Sequence, residues 1–412
     1  VCDMLGRCDI DSGHPRYFGL FNPPSLPITV PADALVAMLN PQVGTRTHAP
    51  AANEIEQHVL GHLAMRIGFD PDTSSAHFTS GGQEANTTAM AAALHGKFPT
   101  LSKAGIRSLD GSPRLYASAL AHHSLVKAAR LLGIGEDAVR SVPTGDDGRM
   151  SLDALEARIA QDRRAGNLPF LIVATAGTTS TGAIDPLIGL VQIAKNHSLW
   201  LHVDAAWGGG ALMSDHLRLY LEGIEHSDSV TWDAHKWLDV PMGAGMVFFR
   251  HGRPTEQLFT VHTGYVPQSR EAVAEPYQNT FQWSRRFIGL KLFMALASLS
   301  AGGYGDMIDR QALVGERLRV RLRNDGWTMV NDTPLPLVCF RCPGAQAQSL
   351  TQTNQFVERV NDGGKVWISS IEMPNGESAL RVCITSFDTR EDDLDMLVSE
   401  LDAARAEMDI WA

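Results

Sequence analysis

The stretch LPFLIVATAGTTSTGAIDPLIGLVQIAKNHSLWLHVDAA, residues 168–206, decides the fold. It opens on an almost unbroken apolar run, LPFLIVATA, passes through a glycine-containing polar turn into a helical pattern, and closes on a second apolar run, SLWLHV. Strands without polar alternation are covered on both faces, and a helix between two of them is the connection that parallel neighbours require. Further apolar runs stand on either side: RLYASALA at 114–121, SVTWD at 229–233 and GAGMVFFR at 243–250. Residues 51–310 are therefore expected to form a large α/β domain with a mostly parallel sheet.

The pattern changes at both ends. Residues 1–50 contain Pro23, Pro24, Pro27 and Pro31, which break longer elements. They read as an extended arm with one helix near 31–39, and such an arm must lie on another part of the molecule. Residues 311–412 read as helix, strand, helix, paired strands (KVWISSI at 365–371, SALRVCITS at 378–386) and a last helix. That is a smaller α+β domain. Its last helix is expected to be capped by Thr389 with Asp392 three residues later, presenting Leu394, Leu397 and Leu401 on one face.

With 412 residues and 44% hydrophobic content the chain is long enough for one large core and a smaller one. Lys and Arg number 35 against 46 Asp and Glu, and the net charge of -11 repels nucleic acid and anionic lipid. Neither a nucleic acid nor a membrane is an expected partner, and no apolar run approaches the roughly 20 residues of a membrane span. The opening residues lack the basic-then-apolar order of a signal peptide, so a cytoplasmic location is the expectation. Five cysteines, at 2, 8, 339, 342 and 383, give no disulfide framework, and the C-x-x-C spacing of Cys339 and Cys342 sits in an apolar strand-like run without a second ligand pair. No metal is expected.

Ligands of open α/β sheets sit beyond the carboxyl ends of the strands. There LWLHV ends in Asp204, LIVATA in Gly177-Thr178-Thr179, SVTW in Asp233 followed by His235 and Lys236, and LYASALA in His122-His123. A carboxylate held on that rim needs a cationic or protonated partner, although a lone Asp also serves as a helix cap or in a structural ion pair. In WDAHKW, 232–237, a lysine stands between tryptophans. Such lysines commonly snorkel to solvent, but an apolar pocket favours the neutral amine, which is the nucleophile. In HFTSGGQEANTTAMAAAL, 77–94, a strand-like lead runs through Ser80-Gly81-Gly82 into an alanine-rich helix, an arrangement suited to a phosphate. It matches neither common nucleotide loop. A phosphate, a ring nitrogen that Asp204 keeps protonated and a carbonyl that Lys236 condenses with are all found in pyridoxal 5'-phosphate (PLP).

From HPRYF at 14 to its end the sequence resembles the PLP-dependent group II amino acid decarboxylases, which include aromatic-L-amino-acid, glutamate and diaminobutyrate decarboxylases. The likeness is densest over ATAGTTSTGAIDP (174–186), WLHVDAAWGGG (200–210) and DSVTWDAHKWL (228–238). It implies the type I, aspartate aminotransferase-like fold and a homodimer with its active site at the subunit interface. It also implies Lys236 as the residue that binds PLP covalently, Asp204 at the pyridine nitrogen, Ala206 beneath the ring and His123 stacked above it. Gly82, Gln83 and His235 would contact the phosphate, and Thr178 would lie near the ring. Asp233 stands near the phosphate where several relatives carry asparagine, so a direct contact there requires a bridging proton, water or cation.

The resemblance further implies that Tyr265 returns a proton to the substrate and that Arg381 contacts its carboxylate. Leu20, Phe21 and Asn22 with Arg46 and His48 would line the side-chain pocket. The first two suit an aromatic or apolar amino acid and the last two an acidic one. The expected reaction is decarboxylation of an L-amino acid, aromatic in the first reading and acidic or diamino in the second. The aldehyde synthases of the family typically carry phenylalanine at the tyrosine position, so Tyr265 favours simple decarboxylation. The family-like region starts almost at residue 14, so little of the family's long N-terminal helical segment, which in relatives helps to clamp the dimer, is expected in these residues.

Overall fold

The computed structural model describes residues 4, 6, 8–261, 275–342, 349–373 and 375–408. Its larger sheet contains β1 (Ser75–Thr79), β2 (Pro113–Ser118), β3 (Val139–Val142), β4 (Leu168–Thr175), β5 (Trp200–Asp204), β6 (Ser229–Asp233) and β7 (Gly245–Phe249). They lie in the order β1-β7-β6-β5-β4-β2-β3. Only β7 runs against its neighbours; β6, β5, β4, β2 and β3 are parallel. Every residue of β6 and β7, and of β4 beyond its first, is buried; β4 and β7 accordingly carry no polar alternation, whereas β6 (SVTWD) alternates and buries its polar side chains as well. Helix Leu187–His197 joins β4 to β5 as the quoted stretch leads one to expect. Thr175 pairs with Asp204 and Asp204 with Thr231, so the carboxyl ends of three adjacent strands share one rim.

A second, wholly antiparallel sheet holds β8 (Thr328–Met329), β9 (Leu337–Arg341), β10 (Ser369–Glu372) and β11 (Ser378–Cys383) in the order β10-β11-β9-β8. Helices Leu350–Asp362 and Glu391–Glu407 pack on it around Val338, Phe340, Phe356, Leu380 and Leu397. Both units are joined by helix Gly289–Asn324, broken at Ser300 (φ 60°, ψ 170°). The change of pattern at 310/311 falls inside the second part of that helix. The fold is α/β, with a mostly parallel sheet and a smaller antiparallel one.

The N-terminal arm lands on the smaller sheet. The Phe18 N–H donates to the Trp367 carbonyl at 2.7 Å, the Phe18 carbonyl accepts from Cys383 at 2.8 Å, and the Phe18 ring is fully buried in the smaller core. The helix expected near 31–39 spans Thr29–Leu39. The last helix starts one residue later than the sequence suggests: Asp393 Oδ2 accepts the Arg390 N–H at 3.0 Å, whereas the Thr389 hydroxyl donates to the Pro15 carbonyl at 2.7 Å. The arm takes the hydroxyl that would have capped the helix. Among the described residues no helix is long and apolar enough to cross a membrane.

Candidate active site

A cavity of about 260 Å³ opens at the shared rim, and Lys236, Asp204, Asp233, His235, Gly82 and Trp207 are among its walls. Asp233 ends β6 with its carboxylate buried. Its Oδ2 accepts the Gly82 N–H at 3.0 Å and lies 3.3 Å from Lys236 Nζ and 3.8 Å from His235 Nε2. Its Oδ1 has no partner among the described residues. Burial lowers the His235 pKa against the opposing pull of Asp233, and His235 Nδ1 accepts the Ala244 N–H at 3.0 Å.

The tryptophans of WDAHKW do not enclose the lysine, contrary to expectation. Trp232 and Trp237 are fully buried and absent from the cavity wall, and Trp237 Nε1 donates to Gln311 Oε1 at 2.8 Å. Successive residues of a strand face opposite sides, so Trp232 enters the core while Asp233 faces the cavity. The lysine's company is a carboxylate.

Asp204, at the end of β5, accepts the Ala206 N–H on Oδ1 at 3.1 Å and Asn86 Nδ2–H on Oδ2 at 2.8 Å. Across the cavity, helix Gly82–Lys97 points its N-terminus at the rim. A Cβ on Gly82 would meet Asp233 Oδ2 at 2.8 Å and Ala206 Cβ at 3.4 Å, and one on Gly245 would meet Gly81 Cα at 2.5 Å. Only glycine leaves the backbone this open. Gln83 also lines the wall, anchored by Nε2–H bonds to the Ser124 carbonyl at 3.1 Å and Thr87 Oγ1 at 3.2 Å.

These residues fit PLP. The glycine turn and helix N-terminus offer an anion N–H groups and a positive dipole end. Asp204 offers a hydrogen-bonded carboxylate to a ring nitrogen, and Lys236 an amine in the same small volume. Asp233 is the discordant member, because its carboxylate already takes the Gly82 N–H that a phosphate would use.

Other expected site residues are distributed differently. His122, not His123, reaches the Lys236 cavity; His123 lines only an adjoining outer cavity of about 420 Å³. Burial lowers the His122 pKa, with Asp204 raising it and Lys236 lowering it, as expected of a group close to both. Thr178 is buried with its hydroxyl spent on Thr181 Oγ1 and the Ala183 N–H, while Thr179 takes the place on the wall. Arg381 lines the outer cavity, but Nε donates to the Thr179 carbonyl and Nη1 to Ser369 Oγ and the Gly19 carbonyl. Its Nη2 alone lacks a partner among the described residues.

Phe21 is buried beneath that guanidinium and stacked on Trp207 at 4.2 Å, lining neither cavity, whereas Leu20 does line the outer one. Asn22 donates to Met242 Sδ at 3.6 Å. Arg46 lines a separate cavity with His77 and Arg285, and exposed His48 lies in neither of the two cavities at the rim. Tyr265 lies outside the described residues. Asn86 and Trp207 carry no role in the sequence reading, which names Thr179 only at the rim; Asn86 follows Gly82 by four residues on one helix, the spacing that puts both on one face.

Comparison with known proteins gives the family. Residues 8–343 match the model of the pyridoxal-dependent decarboxylase conserved domain. L-2,4-diaminobutyrate decarboxylase of Rhizobium meliloti (strain 1021) is 35% identical over 298 residues, 72% of this chain and 58% of that protein. Acidic amino acid decarboxylase GADL1 of Homo sapiens is 29% identical over 426 residues, 99% of this chain and 81% of that protein. The crystal structure of mouse CSAD in apo form superposes with a TM-score of 0.91 at 27% identity, covering 98% of this chain and 86% of that one. Oryza sativa TDC with PLP and tryptamine, at 24% identity, has the same fold with a TM-score of 0.91, over 99% and 87% of the two chains. The chain belongs to the pyridoxal-dependent decarboxylase family, enzymes that use PLP to remove the carboxyl group of an amino acid as carbon dioxide.

Proposed function

We propose that the protein decarboxylates an aromatic L-amino acid to its amine. The outer cavity carries this assignment: its volume of about 420 Å³ admits an aromatic ring, and Leu20, Leu120 and Ile371 give it apolar wall. His122 and Thr179 belong to both cavities, so a substrate held at Lys236 extends its side chain there. Among the described lining residues, Arg381 is the only guanidinium. With its one uncommitted nitrogen assigned to the substrate carboxylate, no arginine is left for an acidic side chain. Glu372 on the same wall favours a second reading, a diamino acid with a cationic side chain.

In this reading Lys236 holds PLP and Asp204 keeps its ring nitrogen protonated. The Gly82 turn, Gln83 and His235 hold the phosphate, and Ala206 and His122 contain the ring. PLP, when bound, supplies the sink for the electrons left on Cα as carbon dioxide departs. Arg381 and His122 orient the carboxylate, and orientation selects the bond that breaks. Tyr265 returns the proton to Cα.

The working unit in this reading is a homodimer. Leu35, Met38 and Leu39 lie exposed on one face of helix Thr29–Leu39, and Met242 and Phe281 are exposed elsewhere. Light scattering on purified protein should give twice the chain mass.

The test is a panel of aromatic, acidic and diamino acids assayed for carbon dioxide, amine, hydrogen peroxide and keto acid. Carbon dioxide and amine in equal amounts from aromatic substrates are expected. Turnover confined to diamino acids would select the second reading, and keto acid production would contradict both. Tyr265→Phe should divert product from the amine to an aldehyde, with oxygen consumed and hydrogen peroxide released.

A further inference from the structure

Behind Asp204 runs a buried chain of polar groups. Asn86 Nδ2 donates to both Asp204 Oδ2 (2.8 Å) and Ser124 Oγ (2.9 Å), which uses both amide hydrogens and fixes the orientation of the amide. Its Oδ1 therefore faces His202 Nε2, 3.0 Å away, and that nitrogen must carry the hydrogen. His202 Nδ1 is left to accept from Ser229 Oγ at 2.8 Å, and Ser229 Oγ in turn accepts from Trp200 Nε1 at 2.8 Å. Thr231 Oγ1 lies 3.3 Å from the same His202 Nε2 and can share its hydrogen. Asn86, His202 and Ser229 are all buried.

Every donor in this chain points the same way: Trp200 to Ser229, Ser229 to His202, His202 to Asn86, Asn86 to the carboxylate. Aligned bonds polarise one another, and their direction suits an anion at the end. Burial holds the His202 pKa down to about 4, so the ring stays a neutral relay. The chain ends on the carboxylate that faces the cavity, and three of its members sit on adjacent strands that cannot reorient independently.

We propose that Asn86 and His202 are positioning residues: by this one-way chain they fix the Asp204 carboxylate and aim it at the ring nitrogen of the cofactor. The inference rests on the assignment of Asp204 to that nitrogen. It makes His202 a determinant of how strongly the protein distinguishes a pyridinium ring from one without the nitrogen.

The test compares the affinity of apoenzyme, prepared from holoenzyme, for PLP and for its 1-deaza analogue, in which C–H replaces the ring nitrogen. Binding is read by fluorescence without substrate. The parent should prefer PLP by about tenfold or more, the worth of a charge-assisted hydrogen bond. A parent without that preference would contradict the assignment of Asp204 itself, a separate failure. With the preference present, His202→Leu should cut it about fivefold or more, and His202→Gln, whose amide can still donate toward Asn86, should restore most of it. Ser229→Ala, further out, should cut it less and covers the case in which His202→Leu does not fold. Folded His202→Leu or Ser229→Ala with the parent's preference unchanged would overturn the proposal; a merely structural role would lower both affinities together.

Discussion

Asp233 puts a carboxylate where, in the proposed reading, the cofactor's phosphate docks, and this charge is the residue-scale feature with the clearest consequence. It neutralises the Lys236 ammonium at 3.3 Å while taking the Gly82 N–H at 3.0 Å. Asp233→Asn keeps an acceptor for that N–H, removes the repulsion of the phosphate and releases the lysine. The variant should bind PLP roughly fivefold more tightly at low salt, about 1 kcal/mol for like charges in a partly screened site. Equilibrium dialysis measures it, and weaker binding would show Asp233 to be a ligand, not a liability. Asp204, Lys236 and Gly82 were legible in the sequence because each follows an apolar strand or a glycine turn, and topology alone gathers such positions on one rim. The choice between His122 and His123 was not, since neighbours in a turn face different ways. Nor was the inward orientation of Trp232, set by strand pleat, or that of Trp237 in the turn beyond the strand.

At the scale of elements, the arm and the smaller sheet depend on one glycine. A Cβ on Gly19 would stand 1.7 Å from Trp367 Cζ3, inside the ring that Tyr17 also stacks on at 5.1 Å. Gly19→Ala should cost about 1–3 kcal/mol, as overpacking does, and shift the Leu20–Phe21 wall with it. A thermal melt followed by circular dichroism checks this; an unchanged midpoint would mean that the arm is not seated on Trp367. Strands β4 and β7 could be read from sequence because full burial leaves them almost wholly apolar, while β5 and β6 keep buried polar residues such as His202 and Ser229. The landing of the arm could not, because Phe18 meets Trp367 and Cys383 only after a separation of more than 300 residues. The same contact moved the cap of the last helix by one position, since Thr389 serves Pro15 instead.

Across the whole molecule, stability should depend on pH through buried titratable groups, His77, His202 and Asp185 among them. Burial lowers the His77 pKa to about 3 and that of His202 to about 4, against about 6.5 when unfolded. Below pH 6.5 the unfolded chain binds protons that these rings refuse, so their contribution is complete above about 6.5 and is lost as the pH falls toward 4 and 3. Asp185, buried and bonded to the Thr175 and Met150 N–H groups, is pushed up to about 6. Its contribution has the opposite sign, present below about 3.8 and lost as the pH rises through 6. Between pH 4 and 6 each of these histidines makes stability rise with pH, while Asp185 and the buried Asp239, whose pKa burial also raises, make it fall. His77→Asn should lower the slope of stability against pH by roughly 1 kcal/mol per unit, and Asp185→Asn should raise it similarly. Denaturant midpoints at stepped pH measure both, and a slope unmoved by His77→Asn would place that ring in contact with water. The claim on which the rest turns is that Lys236 carries the cofactor, and its most direct test is borohydride reduction of the holoenzyme followed by mass analysis of its peptides. The reduced cofactor should be found on Nζ of Lys236; a label on another lysine, or none on a protein that decarboxylates, would contradict it.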